Sequence, residues 1–331
     1  MKISVNKPCC ICNEDESKVL FKTRYREHKY PGTFIIHQCA GCGLIFNSPR
    51  LKDQELAHLY GQNYYFFHRK DVIEFERIIA MYQRTVALME DKINQKCVAE
   101  IGSAKGYFLA VLKELGWQTQ GIEISPEASS FARDKFTLKT YTGTLAQYAQ
   151  TDDIQKMPLV IAIDLIEHVS DPVAFIQAAG KIVEQDGFLL IDTPNGNARN
   201  ISVEGVKWQG FNPFHIFLFS IKNLTQLLES NGFKVKKTFS YGNILTQNSY
   251  KQKIKRCIKD TFITALSGLG LLNAVRRIKN HDFSKMALDA QLAQTVKTMK
   301  LNGDYFTTKD SRGELAQKYR GDNIVVMAKK L

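Results

Sequence analysis

The stretch that decides the fold is Val98-Ala99-Glu100-Ile101-Gly102-Ser103-Ala104-Lys105-Gly106. Its first four residues form a short, mostly apolar run typical of a buried strand, and an amphipathic segment, residues 107–115, follows the last glycine. Glycine has no Cβ, so a turn built on Gly102 and Gly106 lets the backbone approach a bound ligand closely. The stretch therefore predicts a strand, a ligand-binding turn and a helix in succession.

The same alternation continues to about residue 241. Apolar runs at 118–124, 159–163, 188–191 and 233–238 are predicted strands, and helices are predicted between them. Two of these helices begin with a capping residue followed by proline, Ser125-Pro126 and Asp171-Pro172. Strands that alternate with helices of this length predict an α/β fold with a parallel, doubly wound sheet.

A second feature of the sheet concerns its ligand. In such a fold the ligand binds beyond the carboxyl ends of the strands, near the first strand-to-helix turn. Glu123 ends the second strand about 20 residues after Gly102, where a carboxylate accepts hydrogen bonds from both ribose hydroxyls. The turn lacks the G-x-G-x-x-G spacing of a dinucleotide site and the G-K-[ST] of a P-loop. The residues predict a nucleoside ligand and favour neither of those two classes.

These linked motifs resemble those of class I S-adenosylmethionine-dependent methyltransferases. The first motif of that family is an acidic residue, an apolar residue and G-x-G-x-G, and this chain matches it with Ala104 in place of the middle glycine. Further similarities lie at 121–125, 163–172 and 187–191, and the final run, 321–330, is similar to the family's last, antiparallel strand. The resemblance implies a Rossmann-like sheet of seven strands and S-adenosylmethionine as methyl donor.

The resemblance also implies the residues around that cofactor. Glu123 would hold the ribose, Leu145 beside Thr144 would flank the adenine, and Asp164 would line the cofactor side of the pocket. The complete implied set is Glu100, Gly102, Ser103, Ala104, Gly106, Glu123, Ile124, Leu145 and Asp164. His168 begins the segment after Asp164, and the sequence leaves open whether it is a catalytic or a structural histidine.

The candidate base is His215. An alcohol acceptor must lose its proton during methyl transfer, and a histidine can accept that proton at neutral pH. The segment 208–220 follows the fourth core strand and is predicted to lie over the carboxyl edge of the sheet, with Trp208 and Phe211 shaping the acceptor pocket. Similar sugar-modifying enzymes often carry glutamate before this histidine, where this chain has Phe214. A structural histidine within an aromatic lid is the alternative interpretation.

Four cysteines predict a metal site near the start of the chain. They form two C-x-x-C pairs, Cys9 with Cys12 and Cys39 with Cys42, a spacing typical of a zinc ribbon. Four thiolates leave no open position on the ion, so the predicted zinc is structural. Cys10 is an alternative ligand with poorer spacing. A zinc ribbon followed by residues 42–50 and a helical linker also resembles a bacterial methyltransferase subgroup that modifies sugars or secondary metabolites.

The 331 residues divide by pattern into five regions with an ordinary globular composition. No apolar run approaches the roughly 20 residues of a spanning helix, and no secretory signal is evident, so a cytoplasmic location is expected. The predicted regions are a zinc ribbon (1–50), a helical linker or cap (51–96), a cofactor-binding core (97–244), a helical basic insertion (245–320) and the last core strand (321–331).

The net charge of +12 suggests partners without identifying one. Residues 251–279 contain eight Lys or Arg and one Asp, so much of the surplus is local. This segment is predicted to be either an amphipathic lid or an interfacial segment that contacts anionic membrane, which would place the chain at the inner membrane surface.

Three functions compete. The favoured one is O-methylation of a small or glycan-type acceptor, because the resembling subgroup modifies sugars, including nucleotide-linked sugars, and secondary metabolites. A lipid-linked acceptor would accompany membrane contact through 251–279. A nucleic-acid methyltransferase is the first alternative, but Asp164-Leu165-Ile166-Glu167 stands where [DN]-P-P-[YF] would mark an amine-methylating enzyme, so nucleic acid is disfavoured as a partner. A catalytically inactive cofactor-binding protein is the second alternative.

Overall fold

Strands and helices alternate from Cys97 to Tyr241, as the sequence predicts. The computed structural model describes residues 3–4, 8–25, 32–48, 50–51, 95–152, 154–242, 288–301 and 320–331. Its strands are β1 (Ile3–Ser4), β2 (Ser17–Tyr25), β3 (Gly32–Cys39), β4 (Ile45–Ser48), β5 (Arg50–Leu51), β6 (Cys97–Ile101), β7 (Gln118–Glu123), β8 (Lys139–Thr142), β9 (Met157–Ile163), β10 (Val183–Pro194), β11 (Phe217–Leu218), β12 (Phe233–Tyr241) and β13 (Asn323–Lys330). Its helices are α1 (Tyr107–Glu114), α2 (Pro126–Phe136), α3 (Leu145–Tyr148), α4 (Pro172–Ile182), α5 (Arg199–Glu204), α6 (Ile221–Glu229) and α7 (Leu288–Leu301), with short 3₁₀ turns at Ile166–His168 and Gly205–Lys207.

The central sheet has seven strands in the order β12-β13-β10-β9-β6-β7-β8. The five strands from β10 to β8 are parallel, whereas β13 is antiparallel to both β10 and β12. The chain moves outward from β6 to β8 and returns to β9 on the other side, so the strand order reverses beside β6. Ligands of open α/β sheets bind at such a reversal. The predicted doubly wound, seven-stranded fold is confirmed, including its last antiparallel strand.

The inner strands β6 and β9 are mostly apolar because they are buried at the centre of the sheet. Ala99 and Ile101 of β6 pack into one buried cluster, and Val98 packs into a second cluster with residues of α1. The centre of the sheet is therefore a rigid support for the loops at its carboxyl edge.

The predicted helix starts are confirmed at both capping sites. Ser125 Oγ accepts a hydrogen bond from the Ala128 N–H at 3.3 Å, and Pro126 is the first residue of α2. Asp171 Oδ1 accepts from the Ala174 N–H at 3.0 Å before α4. Each oxygen pairs with an N–H that a helix start leaves without an intrahelical partner.

The fourth core strand is longer than predicted. The sequence places it at 188–191, whereas β10 runs from Val183 to Pro194. Asp186 adopts a left-handed conformation (φ 63°), and the pairing with β9 shifts between Val183 and Phe188. Asp186 therefore lies at an irregularity inside one strand and not before its start.

The residues before the core form a separate antiparallel sheet in the order β11-β4-β3-β2. Its edge strand β11 comes from the core segment 208–220: Phe217 pairs with Phe46 and Leu218 with Ile45. We call β2, β3, β4 and the cysteine turns before β2 and β4 the ribbon unit. The segment that carries His215 is thus hydrogen-bonded to this unit.

Several predictions fall outside the described residues. These are most of the helical linker (51–96), all of the basic segment (251–279), and the insertion (245–320) apart from α7 and Arg320. Among the described helices, none has the length and apolar character that crossing a membrane requires.

Candidate functional site

The turn after β6 has three residues with positive φ at alternate positions. These are Gly102 (74°), Ala104 (47°) and Gly106 (75°). Glycine adopts such angles without steric cost, and Ala104 does so at a cost of about 1 kcal/mol. The backbone therefore explains a pattern with glycine or a small residue at every second position.

The same turn has no room for larger side chains. A Cβ on Gly102 would lie 3.2 Å from Leu165, and a Cβ on Gly106 would lie 2.6 Å from Leu138. Leu165 belongs to the loop after β9, so that loop packs directly on the turn. The carboxyl ends of β6 and β9 thus form one continuous site.

Glu123, at the end of β7, joins the turn through its side chain. Its carboxylate accepts hydrogen bonds from the Ala104 N–H and the Ser125 N–H, both at 2.8 Å. Burial raises the pKa of Glu123, and these N–H groups oppose the shift. A carboxylate can accept about four hydrogen bonds. Glu123 therefore has acceptor capacity for two ribose hydroxyls.

Two further polar atoms at this edge are buried without a partner. Glu100 Oε2 and Ser103 Oγ make no hydrogen bond among the described residues. Burial, reinforced by the charge of Glu123, raises the pKa of Glu100 to about 8. Buried polar groups are normally satisfied, so these atoms are suited to a ligand that brings its own polar groups. The turn, Glu123 and Glu100 fit a nucleoside with a charged amino acid part.

The other predicted cofactor residues lie around this turn. Ile124 is 43% exposed beside Glu123, so it offers apolar surface to a flat base. Leu145 begins α3 and is buried in the core. Asp164 follows β9 with a left-handed φ of 48°, and its N–H donates to the Asp192 carbonyl at 2.9 Å.

A cluster of Glu167, His168 and His215 lies beyond β9, and its first two residues closely follow Leu165, which packs on the turn after β6 (102–106, the cofactor turn). The two imidazole rings meet edge to face, with centroids 4.9 Å apart. One nitrogen of each ring and one oxygen of Glu167 lie within 4.8 Å of one another. The structure therefore brings together the two histidines that the sequence singled out. Sequence reasoning missed Glu167, although it is adjacent to His168 in the same motif.

Burial controls the charge of this cluster. It raises the pKa of Glu167 well above its usual range, and the charges of Asp164 and Asp192 add to the shift. His215 keeps some exposed surface, but exclusion of water and the neighbouring His168 lower its pKa to about 3. Burial also lowers the pKa of His168. A group with a lowered pKa releases its proton, so His215 is neutral at pH 7.

The His215 segment is fixed at the carboxyl edge by backbone bonds. The Gly196 N–H donates to the Phe219 carbonyl at 2.8 Å just after β10, and the Ile216 N–H donates to the Glu167 carbonyl at 2.7 Å. Trp208 and Phe211 are buried and pack edge to face, with centroids 5.1 Å apart.

Asn47 of the ribbon unit also holds this segment, and sequence reasoning missed it. Its Nδ2 donates to the carbonyls of Asn212 and His215, both at 2.7 Å. Its N–H donates to the Ile216 carbonyl at 3.0 Å. Nothing local in the sequence identifies partners more than 160 residues away.

Replacing Asn47 with alanine should displace His215 and lower turnover by about tenfold or more, with a stability loss of about 1–3 kcal/mol from unpaired carbonyls. The measurements are turnover and thermal unfolding. Asn223→Ala is the matched control, because Asn223 Nδ2 donates to the Cys42 carbonyl at 3.0 Å and so joins the same two units away from His215. Equal turnover in the two variants, at equal stability, would argue against a positioning role for Asn47.

The four predicted cysteines meet in the ribbon unit. The sulfurs of Cys9 and Cys42 are 3.5 Å apart, as are those of Cys12 and Cys39, and all four lie within 4.8 Å of one another. Backbone N–H groups of Ile11 and Cys12 contact the Cys9 sulfur. Burial is the larger effect and raises the pKa of the Cys9 thiol, and these N–H groups oppose that shift. The four thiols as a donor set suit tetrahedral zinc.

Comparison with known proteins is consistent with the geometry of the cofactor turn. Residues 73–238 match a family model described as a methyltransferase domain. A probable S-adenosylmethionine-dependent methyltransferase of Mycolicibacterium smegmatis is 24% identical over 191 residues, which cover 57% of this chain and 67% of that protein. A ubiquinone biosynthesis O-methyltransferase of Hydrogenovibrio crunogenus is 28% identical over 113 residues, which cover 33% of this chain and 46% of that protein.

The chain thus spans less than half the length of the second relative. Among solved structures, an S-adenosylmethionine-dependent methyltransferase from Archaeoglobus fulgidus superimposes with a TM-score of 0.48 and 16% identity, covering 81% of this chain and all of that chain.

Proposed function

Because this chain belongs to the class I S-adenosylmethionine-dependent methyltransferase family, we propose that it methylates a hydroxyl group of a small or glycan-type acceptor, nucleotide- or lipid-linked. The observation that carries the proposal is the half-buried pair His168 and His215 in mutual contact, with His168 three residues after Leu165, which packs on the turn at Gly102. Neutral imidazoles suit an acceptor that must lose a proton, since a hydroxyl does and a thioether does not.

The cofactor's place is proposed from the atoms that fit it. Glu123 would accept both ribose hydroxyls, Ile124 and Leu145 would flank the adenine, and Gly102 to Gly106 would lie against the amino acid part. Glu100 and Ser103 would pair with the polar groups there. When bound, S-adenosylmethionine supplies an electrophilic methyl group on a sulfonium.

The proposed role of His215 is to hold the acceptor hydroxyl and take its proton. His215 Nδ1 is 2.9 Å from the Gly210 carbonyl, which can only accept a hydrogen bond. Nδ1 therefore carries the ring proton, and the lone pair is on Nε2. His168 is the proposed second member, because its ring contacts that of His215.

We propose that the ribbon unit holds a structural zinc ion through Cys9, Cys12, Cys39 and Cys42. The geometry of the four sulfurs supports this ion. Its proposed role is to stabilise the sheet on which β11 pairs.

The test is product formation by the purified full chain. We expect S-adenosylhomocysteine to form with S-adenosylmethionine and a panel of phenol, catechol and sugar hydroxyls, and mass spectrometry to place the methyl group on oxygen. Methylation of amines alone, or of nothing despite cofactor binding, would contradict the proposal.

Replacing Glu123 with alanine should weaken S-adenosylmethionine binding by about 1.5–3 kcal/mol, the scale of hydrogen bonds to a charged group. Calorimetry measures the affinity directly. Glu123→Gln keeps one acceptor oxygen and should lose less. Glu127→Ala, an exposed glutamate four residues away, is the control and should bind as the wild type does. Unchanged affinity in Glu123→Ala would refute the ribose assignment.

A further inference from the structure

We infer that Glu167, His168 and His215 bind a divalent cation at the acceptor side of the pocket. The inference deepens the proposed function, and its statement about the acceptor rests on that function. The cation itself can be tested without any acceptor.

Both imidazoles have the tautomer that a metal ligand needs. His168 Nδ1 lies 2.9 Å from the Phe214 carbonyl, and His215 Nδ1 lies 2.9 Å from the Gly210 carbonyl. A carbonyl cannot donate, so each Nδ1 carries the proton and each Nε2 carries the lone pair. Histidines that bind metals usually donate their other N–H to a carbonyl or carboxylate in this way.

Glu167 supplies the carboxylate. Its Oε2 accepts from Thr193 Oγ1 at 2.8 Å, which fixes the side chain. Its Oε1 is buried, and no hydrogen-bond donor among the described residues reaches it. Oε1 lies 3.9 Å from His168 Nε2. The carboxylate of Glu167 and the ring of His168 are therefore close enough to share one cation.

The dimensions allow a shared ion. One nitrogen of each imidazole and one oxygen of Glu167 lie within 4.8 Å of one another. Ligands bound at about 2.1 Å lie about 3–4 Å apart, so these separations would shorten by at most about 1–2 Å when an ion binds. Two histidines and one carboxylate leave positions open on a transition metal ion. This chemistry differs from that of the four-cysteine site, where every position is taken.

A cation here defines the acceptor class. Its open positions would take two neighbouring oxygens of the acceptor, as in a vicinal diol, a catechol or an α-hydroxy carbonyl compound. A bound cation lowers the pKa of an attached hydroxyl, which then loses its proton to water. The oxygen forms the new O–CH₃ bond, and the electron pair of the broken S–CH₃ bond stays on sulfur. A nitrogen that binds the cation cannot accept a proton, so this role of His215 replaces its role as base.

The experiment is titration of Mn²⁺ into the purified full chain, followed by the loss of the free-ion electron paramagnetic resonance signal. Mn²⁺ prefers oxygen and nitrogen ligands, so the cysteine site does not compete for it. We expect one saturable site per chain. Glu167→Gln and His215→Ala should each raise the Kd at least about 100-fold. His37→Gln, which removes a histidine of the ribbon sheet, should leave it unchanged.

Affinity for S-adenosylmethionine shows that each variant is folded. If the purified protein already holds an ion that Mn²⁺ does not displace, elemental analysis detects it. Each cluster variant should then contain about one equivalent less metal than the wild type. If neither assay separates the wild type from both cluster variants, the inference is wrong. Methyl transfer that persists in EDTA without Mn²⁺ binding would refute the cation and keep O-methylation. Mn²⁺ binding without methyl transfer to any hydroxyl would keep the cation site and refute O-methylation.

Discussion

Replacing His215 with alanine should lower turnover about 10²–10⁴-fold while the Kd of S-adenosylmethionine changes by no more than about twofold. The imidazole contacts His168 and the Gly210 carbonyl, both on the acceptor side, and none of the proposed ribose contacts. Its loss therefore removes either the proton acceptor or a cation ligand and leaves the cofactor turn intact. Initial rates and calorimetry measure the two effects separately.

The control for this variant is Phe214→Leu. It changes the packing of the same segment against Tyr25 but keeps both histidines and the Phe214 carbonyl that pairs with His168. We expect a small change in turnover. Near-normal turnover in His215→Ala would leave positioning of donor and acceptor as the source of catalysis and would deny His215 a chemical role.

Replacing Cys39 with serine should release the proposed zinc ion, unfold the ribbon sheet and abolish most of the turnover, while cofactor binding persists. Structural zinc contributes about 10–16 kcal/mol to the folding of small zinc peptides, so a unit of this size does not withstand its loss. β4 is the pairing partner of β11, so the His215 segment loses its support with the sheet. Glu123 and the turn belong to the core sheet and stay in place.

Elemental analysis, amide hydrogen exchange of β3 and β4, and calorimetry with S-adenosylmethionine test this prediction. Cys10→Ser is the matched control, because Cys10 is adjacent to the cluster but is not one of its four thiols. A Cys39→Ser chain with full metal content, or one that loses cofactor affinity together with turnover, would contradict it.

The conformation of the turn after β6, which we propose as the cofactor site, could be predicted because its determinants are local. The spacing of Gly102, Ala104 and Gly106 follows from three positive φ angles in five residues, and Glu123 ends the next strand. Caps such as Ser125 act within one helical turn, so sequence alone identifies them.

The acceptor half depends on contacts between distant residues, which a sequence pattern does not record. β11 is two residues long, far too short to show a period, and its register is set by β4. Asn47 reads as an ordinary loop residue until its two carbonyl partners are known. The residues just before Phe188 are polar or glycine and predict no strand, yet Val183 pairs with Met157 of β9, so β10 begins there.

The pairing of β4 with β11 has a consequence for exchanging parts between related enzymes. In a chimaera that imports only residues 208–220, the new β11 would face a β4 from a different protein. Its histidine would also lack the side-chain amide of Asn47, which binds the His215 carbonyl here. One that imports only the ribbon unit would fail for the converse reason. The two stretches, separated by more than 150 residues, should therefore be transferred together. A chimaera that receives both should unfold in a single cooperative transition.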